Sequence, residues 1–520
     1  MPELLAARSR QTQRRIAVID GGDSVSYEEL AEGAYQYAAL IRQLKIAPGD
    51  RVALLLPRSI EALAVFFAAQ FAGAVAVFIS DRLRPHQVGY VISDAGASAL
   101  FTTARLRPLL RDTRLAPNRV IDVGGCTSIS SDLAPTRVIG KDLALLAYTS
   151  GSTGPPKGVM LTHDALVAGA AIVADYLGMT SADRTIAVLP WSFDYGLNQV
   201  LSTLYVGGTV VIQRSAFPPE LCRTLIAARV TGMAGVPSLW RLLRQRYSPF
   251  LKIQFHDLRY MTNSGGSLPV DLIHDIRRAH PQVDFYLMYG LTEAFRSTYL
   301  PPSMVDARPA SIGKAIPNTE ILVISDEGRR CLPGEVGELV HRGPTVALGY
   351  WRDADATARV FRAHPFPSFD AAPTETVVYS GDYVKADHEG YLYYFGRRDE
   401  MFKSHGIRVN PSEIEAELLG SGTVVEAVVF SCERDNADPA IVAAVVPTDA
   451  SCFRPADLFD YCRSELPQHM QPYDIISMSS LPLTPTGKTD RARLRARLVA
   501  SGTLVDRMMK NQPHDLGSWY

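Results

Sequence analysis

The sequence predicts an α/β protein: a large N-terminal domain of layered α/β subdomains with a β-rich subdomain, then a small α+β C-terminal domain. Three observations carry this. Residues 15 to 110 alternate short apolar runs with amphipathic stretches, a strand–helix–strand rhythm that builds a parallel sheet covered by helices on both faces. From Ser311 to Gly390 glycines become frequent and apolar runs shorten, as in a β-rich subdomain. Around Gly396-Arg-Arg-Asp-Glu400 the pattern changes to a small α+β unit. A chain of 520 residues also exceeds what one hydrophobic core serves, so two or more domains are expected.

Taken in order, Arg51-Val-Ala-Leu-Leu-Leu56 predicts a strand, Ile60 to Phe71 a helix and Ala74-Val-Ala-Val-Phe78 a strand, with another near Leu100. Ala62 to Ile79 is nearly all apolar and long enough to span a bilayer. Gln70 interrupts it, however, and Gly73 stands where a helix would end, so a buried helix followed by a buried parallel strand is expected. Residues 113 to 140 form a less regular connector. Thr185-Ile-Ala-Val-Leu189 predicts a strand ending in Pro190-Trp-Ser-Phe-Asp-Tyr-Gly196. Thr209-Val-Val-Ile212 is a strand and Pro219 to Arg229 a helix. Met233-Ala-Gly-Val-Pro237 leads into a helix carrying Trp240 and Leu243. Leu258 to Gly266 is a strand running into a glycine loop, and Phe285-Tyr-Leu-Met-Tyr289 is a strand running into Gly290-Leu-Thr-Glu-Ala294. In Asn410-Pro-Ser-Glu413 a capping residue, a proline at the first helical position and a glutamate two further on predict a helix starting at Pro411.

Composition narrows the function classes. Hydrophobic residues make up 47% and charged residues 21%, ordinary for a globular protein. With 53 basic against 54 acidic residues the formal charge is −1, so no global field points to nucleic acid or a membrane. The six cysteines are scattered without a C-x-x-C pair, which suggests neither zinc nor a disulfide framework. The N-terminus is charged through Arg15 and lacks a signal-peptide core, so a cytoplasmic location is expected.

The stretch richest in chemistry is Tyr148-Thr-Ser-Gly-Ser-Thr-Gly-Pro-Pro-Lys157-Gly-Val-Met-Leu-Thr-His163. It follows the apolar run Leu143 to Ala147 and precedes an amphipathic stretch from Ala165 to Tyr176, so strand, loop and helix are expected. Gly151, Gly154 and Gly158 would let backbone N–H groups approach an anion, Ser150, Ser152 and Thr153 add hydroxyls, and Lys157 adds a charge suited to phosphate. The Walker pattern fails, because Gly158 rather than a hydroxyl residue follows Lys157. A Ser/Gly surface loop has the same composition.

Thr149-Ser-Gly-Ser-Thr-Gly-Pro-Pro-Lys-Gly-Val resembles the phosphate-loop signature of the acyl-adenylate-forming superfamily. That superfamily comprises acyl-CoA synthetases, the adenylation domains of nonribosomal peptide synthetases and firefly luciferase. Similar motifs follow in the family's order over roughly residues 10 to 500, beginning with Ser26-Tyr-Glu-Glu-Leu30, which opens a helix in the first subdomain. The resemblance implies that Thr149, Ser150, Gly151, Ser152, Thr153, Gly154 and Lys157 bind ATP. Tyr289-Gly290-Leu-Thr-Glu293 resembles the motif in which Thr292 bonds the α-phosphate and Glu293 helps hold Mg²⁺. A carboxylate attacking the α-phosphorus brings two anions together, so the chemistry needs donors and a metal there.

Tyr379-Ser-Gly-Asp382 is similar to the motif whose Asp382 accepts the ribose hydroxyls, joined by Arg397. Ser264, Gly265 and Gly266 would line the adenine and the acyl pocket, with Phe193, Asp194 and Val236 completing the substrate side. Asp399 falls at the hinge position, Lys403 and Gly406 at a pantetheine tunnel, and Lys488, in Pro-Leu-Thr-Pro-Thr-Gly-Lys488, at the catalytic lysine. The implied division is 1–398 for the ATP and acyl domain, 399–503 for a mobile C-terminal domain and 504–520 for a tail.

The resemblance thus implies a ligase that activates a small carboxylic acid as acyl-AMP with ATP and Mg²⁺, then transfers it to a thiol. Only a short tail follows Lys488, so coenzyme A or the phosphopantetheine of a separate carrier protein is the expected acceptor. One departure bears on the acid. Phe193 stands where many relatives have a His, and Phe193-Asp194 echoes amino-acid-activating domains whose Asp pairs with the substrate ammonium. A buried carboxylate there needs such a partner. Tyr195-Gly-Leu-Asn198 continues as in acyl-CoA synthetases, so amino, aliphatic and aryl acids stay open. A non-catalytic adenylate-binding protein is the rival from another class.

Overall fold

The computed structural model describes residues 1–125, 135–149, 155–366, 375–398, 400–404, 407–434, 437–484 and 489–500. Two compact units emerge: Met1–Ser380 with Ala386–Tyr393, and Gly381–Lys385 with Tyr394–Thr484 and the helix Arg491–Ala500.

The first unit contains a six-stranded sheet ordered Val120–Asp122, Ala97–Thr102, Arg51–Leu54, Val75–Phe78, Leu143–Thr149, Lys157–Thr162. The apolar segment after Arg58 forms the helix Ile60–Phe71, buried at every residue from Ala62 to Phe71, and then the strand Val75–Phe78 parallel to Arg51–Leu54. Among the described residues no helix is long and apolar enough to cross a membrane. The helix Tyr27–Gln43 starts where Ser26 and Glu29 close a capping box, Ser26 Oγ accepting from the Glu29 N–H and the Glu29 carboxylate from the Ser26 N–H at 2.7 Å. Losing such a cap typically costs about 1 kcal/mol.

One expectation is corrected here. The phosphate-loop segment leads first into a strand, Lys157–Thr162, antiparallel to Leu143–Thr149, and only then into the helix His163–Tyr176. Lys157-Gly-Val-Met-Leu-Thr162 buries Val159 and Leu161 on alternate positions, so it satisfies the two-residue period of a strand before Thr162 caps the helix.

A second, 14-stranded sheet carries the parallel block that organises the site. Ile16–Asp20, Thr209–Ile212, Arg184–Ala187, Gly232–Gly235, Tyr260–Asn263 and Asp284–Tyr289 lie side by side, all parallel. Thr298–Leu300 then pairs antiparallel with Asp284–Tyr289, and the sheet continues through Ser311–Ala315 into the β-rich region. Because the block is parallel, the segments leaving its strands all emerge at one carboxyl edge: Val188–Phe193, Val236, Ser264–Gly266 and Gly290–Ala294. Ligands of open α/β sheets bind at such edges.

In the second unit, Asn410 caps the helix Pro411–Gly420 by accepting from the Ser412 N–H, with Pro411 at the first position as the sequence predicts. Ile414 and Leu418 of that helix pack with Val429, Val445 and Ile475 of a three-stranded sheet. Arg491 grips Glu415 through two hydrogen bonds of 2.6 and 2.7 Å.

Candidate active site

At the carboxyl edge, the helix Asp194–Val206 begins immediately after Phe193. Gly196 permits that start, since a Cβ there would sit 2.2 Å from the Pro190 carbonyl oxygen. Tyr195 ties the helix to the neighbouring strand, its hydroxyl 3.0 Å from the Thr262 carbonyl and 2.6 Å from the Thr262 hydroxyl. Ser264 follows that strand, buried, with its N–H on the Gly235 carbonyl. Gly265 adopts φ +81°, a backbone conformation only glycine takes freely, and Asn263 donates to the Gly266 carbonyl at 3.0 Å. Val236, buried, caps the helix Pro237–Arg244 beside this loop.

Asp194 is buried, and its partners come from the chain itself. Thr292 Oγ1 donates to Asp194 Oδ1 at 3.2 Å, and Arg296 Nη1 lies 3.5 Å from Asp194 Oδ2. Both charged side chains are at most 5% exposed. Arg296 also donates through Nε to Asn198 Oδ1 at 3.2 Å and lies over the Tyr195 ring. The buried carboxylate therefore has a cation without a substrate ammonium. Arg296 escaped the sequence reading; an arginine inside the apolar run Ala294-Phe-Arg-Ser-Thr-Tyr-Leu300 was its signal.

A second cluster surrounds Glu293. Backbone bonds from Ala347 to the Glu293 carbonyl and from Leu348 and Trp351 to Met160 and Gly158 carbonyls lay residues 347–351 between Glu293 and the Lys157 strand. Tyr350, set between them, donates its hydroxyl to Glu293 Oε1 at 2.6 Å while Lys157 Nζ stands 5.1 Å from the centre of its ring. Lys157 Nζ is also 3.6 Å from Asp353 Oδ2. Bonding from the Ala356 N–H, then the charge of Lys157, hold the Asp353 carboxyl below its usual range. Thr149 pairs with Lys157 across the hairpin, and Tyr148 donates to Asp94 at 2.6 Å. Tyr289, ending its strand before Gly290, faces His341 with ring centres 6.1 Å apart.

The second unit holds its own pair: Arg397 Nη1 donates to Asp382 Oδ1 at 3.0 Å, with the Asp382 side chain 7% exposed. Lys403 lies on the strand Phe402–Ser404, paired in register with Arg408. Ser150, Gly151, Ser152, Thr153, Gly154, Asp399, Gly406 and Lys488 lie outside the described residues.

Comparison with known proteins identifies the chain. Residues 5–351 match the family model described as AMP-binding enzyme, and residues 413–488 match that of the AMP-binding enzyme C-terminal domain. The chain belongs to the AMP-binding enzyme family. Among its relatives in that family, a feruloyl-CoA synthase of Amycolatopsis sp is 31% identical over 494 residues, covering 94% of this chain and 97% of the relative. Tyrocidine synthase 3 of Brevibacillus parabrevis is 29% identical over 501 residues. The chain spans only 8% of the length of that synthase and 14% of tyrocidine synthase 2.

Solved structures share the fold. The anthranilate CoA ligase AuaEII in complex with anthranoyl-AMP superposes with a TM-score of 0.85 at 25% identity, over 96% of this chain and 98% of that one. The o-succinylbenzoate coenzyme A synthetase of Bacillus subtilis with ATP and magnesium superposes with a TM-score of 0.81 at 26% identity, over 95% and 99%.

Proposed function

We propose that this AMP-binding enzyme activates a carboxylic acid with ATP, releasing pyrophosphate to form acyl-AMP, and then passes the acyl group to a thiol. The observation that carries the reading is the approach of three motif residues from two sheets: Thr292 bonded to Asp194, Glu293 next to it in the chain, and Lys157, on the six-stranded sheet, reaching Glu293 through Tyr350. Related structures that hold an acyl-adenylate or ATP with magnesium support the same chemistry.

In this reading Thr292 turns its one hydroxyl proton from Asp194 to the α-phosphate, Lys157 offers charge to the outer phosphates, and the phosphate-loop residues Thr149 to Gly154 supply N–H and hydroxyl donors. Asp382 and Arg397 bind the ribose, while Tyr289, Gly290, Gly265 and Gly266 border the nucleotide. Asp194, Phe193, Val236 and Ser264 border the acid. Lys488 bridges the acid and the α-phosphate, Asp399 is the hinge between 1–398 and 399–503, and Lys403 and Gly406 border the thiol.

The residues fit a magnesium ion. Among the described residues no group of three His, Cys, Asp or Glu could hold a metal by itself. Magnesium takes one or two carboxylates and completes its shell with phosphate and water. Glu293 is such a carboxylate, half-buried and oriented by Tyr350. When bound, the ion would neutralise charge on the phosphates during attack.

The acceptor is coenzyme A or the phosphopantetheine of a separate carrier protein, and a cytoplasmic setting suits either. Incubation of the full chain with Mg²⁺-ATP and a panel of acids should release AMP and pyrophosphate. Adding coenzyme A or a loaded carrier protein should yield a thioester with one of them. Binding of ATP without turnover of any acid would instead mark a non-catalytic adenylate binder.

A further inference from the structure

Arg296 is fixed at the carboxyl edge from several sides. Its Nη1 stands 3.5 Å from Asp194 Oδ2, its Nε donates to Asn198 Oδ1 at 3.2 Å, and its guanidinium lies over the Tyr195 and Phe295 rings. The backbone is tied as well: the Arg296 N–H bonds the Ala294 carbonyl, and the Arg296 carbonyl accepts from the Thr345 hydroxyl at 3.3 Å. Phe295, the residue before it, takes φ +53°, a left-handed conformation unfavourable for a bulky side chain. Gly169 makes room for the Phe295 ring, since a Cβ there would lie 2.5 Å from Phe295 Cδ1. Such strain persists only where the surroundings over-determine it, and it collects at functional sites.

Stability does not account for the Asp194–Arg296 pair. Two buried charges lose their hydration, and an apolar pair of similar volume is often as stable or more so. The pair does stand one hydrogen bond from the phosphate motif, because Thr292 Oγ1 donates to the other carboxylate oxygen of Asp194. The cation that compensates Asp194 therefore belongs to the chain, beside the place where the reacting carboxylate arrives.

We propose that Arg296 sets the class of acid: by holding the position against Asp194 that a substrate cation would need, it reserves the site for acids with no ammonium beside the carboxylate. The proposal rests on the adenylation reading above and names the substrate class of the same site.

The reason is electrostatic. An α-amino acid carries its ammonium two bonds from the carboxylate carbon, so a carboxylate nearing Thr292 would bring that ammonium up beside Asp194. Asp194 and Arg296 together are neutral, and both are buried. The ammonium would have to leave water for a site whose carboxylate is already compensated and whose neighbour is a guanidinium. An acid with hydrogen, hydroxyl or hydrocarbon at that carbon brings no second charge. When Thr292 turns its hydroxyl to the α-phosphate, Arg296 stays as the cation on Asp194. Without Arg296 the relation inverts: Asp194 lacks a cation, and an ammonium would restore one.

The test is acid-dependent ATP–pyrophosphate exchange by the full chain with pairs of acids that differ only in the amino group: phenylalanine with phenylpropanoate, leucine with methylpentanoate, alanine with propanoate. In the wild type the amino-free acid of at least one pair should exceed its partner in kcat/KM by about 10²-fold or more, and no pair should show the reverse order. Arg296→Met should raise the ratio of amino to amino-free acid by about tenfold or more, whatever happens to absolute rates. Arg296→Lys, which keeps the charge, should leave the ratio near that of the wild type. The double variant Asp194→Leu with Arg296→Met should do the same, because the carboxylate that would attract an ammonium is gone. Arg296→Gln provides the comparison should Arg296→Met fail to fold, and the wild-type ratio stands independently of every variant.

An amino acid that matches or exceeds its amino-free partner in the wild type would overturn the proposal. So would an unaltered ratio in the folded Arg296→Met or Arg296→Gln chain, or an equal rise in the double variant, which would mean that added space rather than charge admits the amino acid. No exchange with any acid, while ATP still raises the melting temperature, would instead show that the adenylation reading itself fails and takes the proposal with it.

Discussion

Thr292 Oγ1 lies 3.2 Å from Asp194 Oδ1, joining the phosphate motif to the first turn of the helix Asp194–Val206 across 98 residues of sequence. Thr292→Val keeps the shape and deletes the hydroxyl. Stability should fall by about 1.5–3 kcal/mol, since a hydrogen bond to a buried carboxylate is lost. Acid-dependent pyrophosphate exchange should fall about 10²-fold, the usual effect of removing a donor to developing charge. Thermal melts beside initial rates separate the two effects.

The Asp194–Arg296 pair makes a different demand. Removing one partner strands a buried charge, so Arg296→Met or Asp194→Leu alone should cost about 3–5 kcal/mol in urea unfolding. The double variant should recover much of that loss, because an apolar pair of similar volume replaces the ion pair. Additive single effects would contradict the pairing.

Tyr350 orients Glu293 through a 2.6 Å hydrogen bond and packs under Lys157. Tyr350→Phe keeps the ring and loses the hydroxyl, so the Mg²⁺ concentration for half-maximal activity should rise about 10-fold, the lower bound for disturbing a partner of a metal ligand. Glu293→Gln should be far more severe, since the carboxylate itself is gone. A magnesium titration of exchange activity distinguishes the two.

His341, fully buried, has neither ring nitrogen partnered among the described residues, and burial pushes its pKa from 6.5 down to about 3. The sign follows from proton counting. Below pH 6.5 the unfolded chain binds a proton that the folded chain refuses, so stability falls on acidification until about pH 3. The slope from this residue is at most about 1.4 kcal/mol per pH unit. In His341→Phe, urea midpoints measured between pH 7 and 5 should fall less steeply than in the wild type.

What could be read in advance was whatever depends on local order. Ile60–Phe71 was legible because an apolar run bounded by Gly73 has few alternatives, and the helix at Pro411 because Asn410-Pro-Ser-Glu carries its own capping chemistry. The strand Lys157–Thr162 was missed because six residues after a glycine-rich loop show too little periodicity to stand out beside the helix that follows. Partnerships were out of reach for another reason: the parallel block brings Arg296 to Asp194, and residues 347–351, bonded to the Lys157 strand, bring Tyr350 to Glu293, so side chains remote in the chain meet. No spacing rule links them.

The central claim is that the chain joins an acid to AMP, with a lysine essential to that step. Acid-dependent exchange of labelled pyrophosphate into ATP, measured for the wild type and Lys488→Ala at equal fold content, tests it most directly. The account predicts exchange that requires both an acid and Mg²⁺ and drops by about 10² or more in Lys488→Ala, as loss of charge stabilisation in the transition state demands. Undiminished exchange in Lys488→Ala, or none in the wild type with any acid, would contradict it.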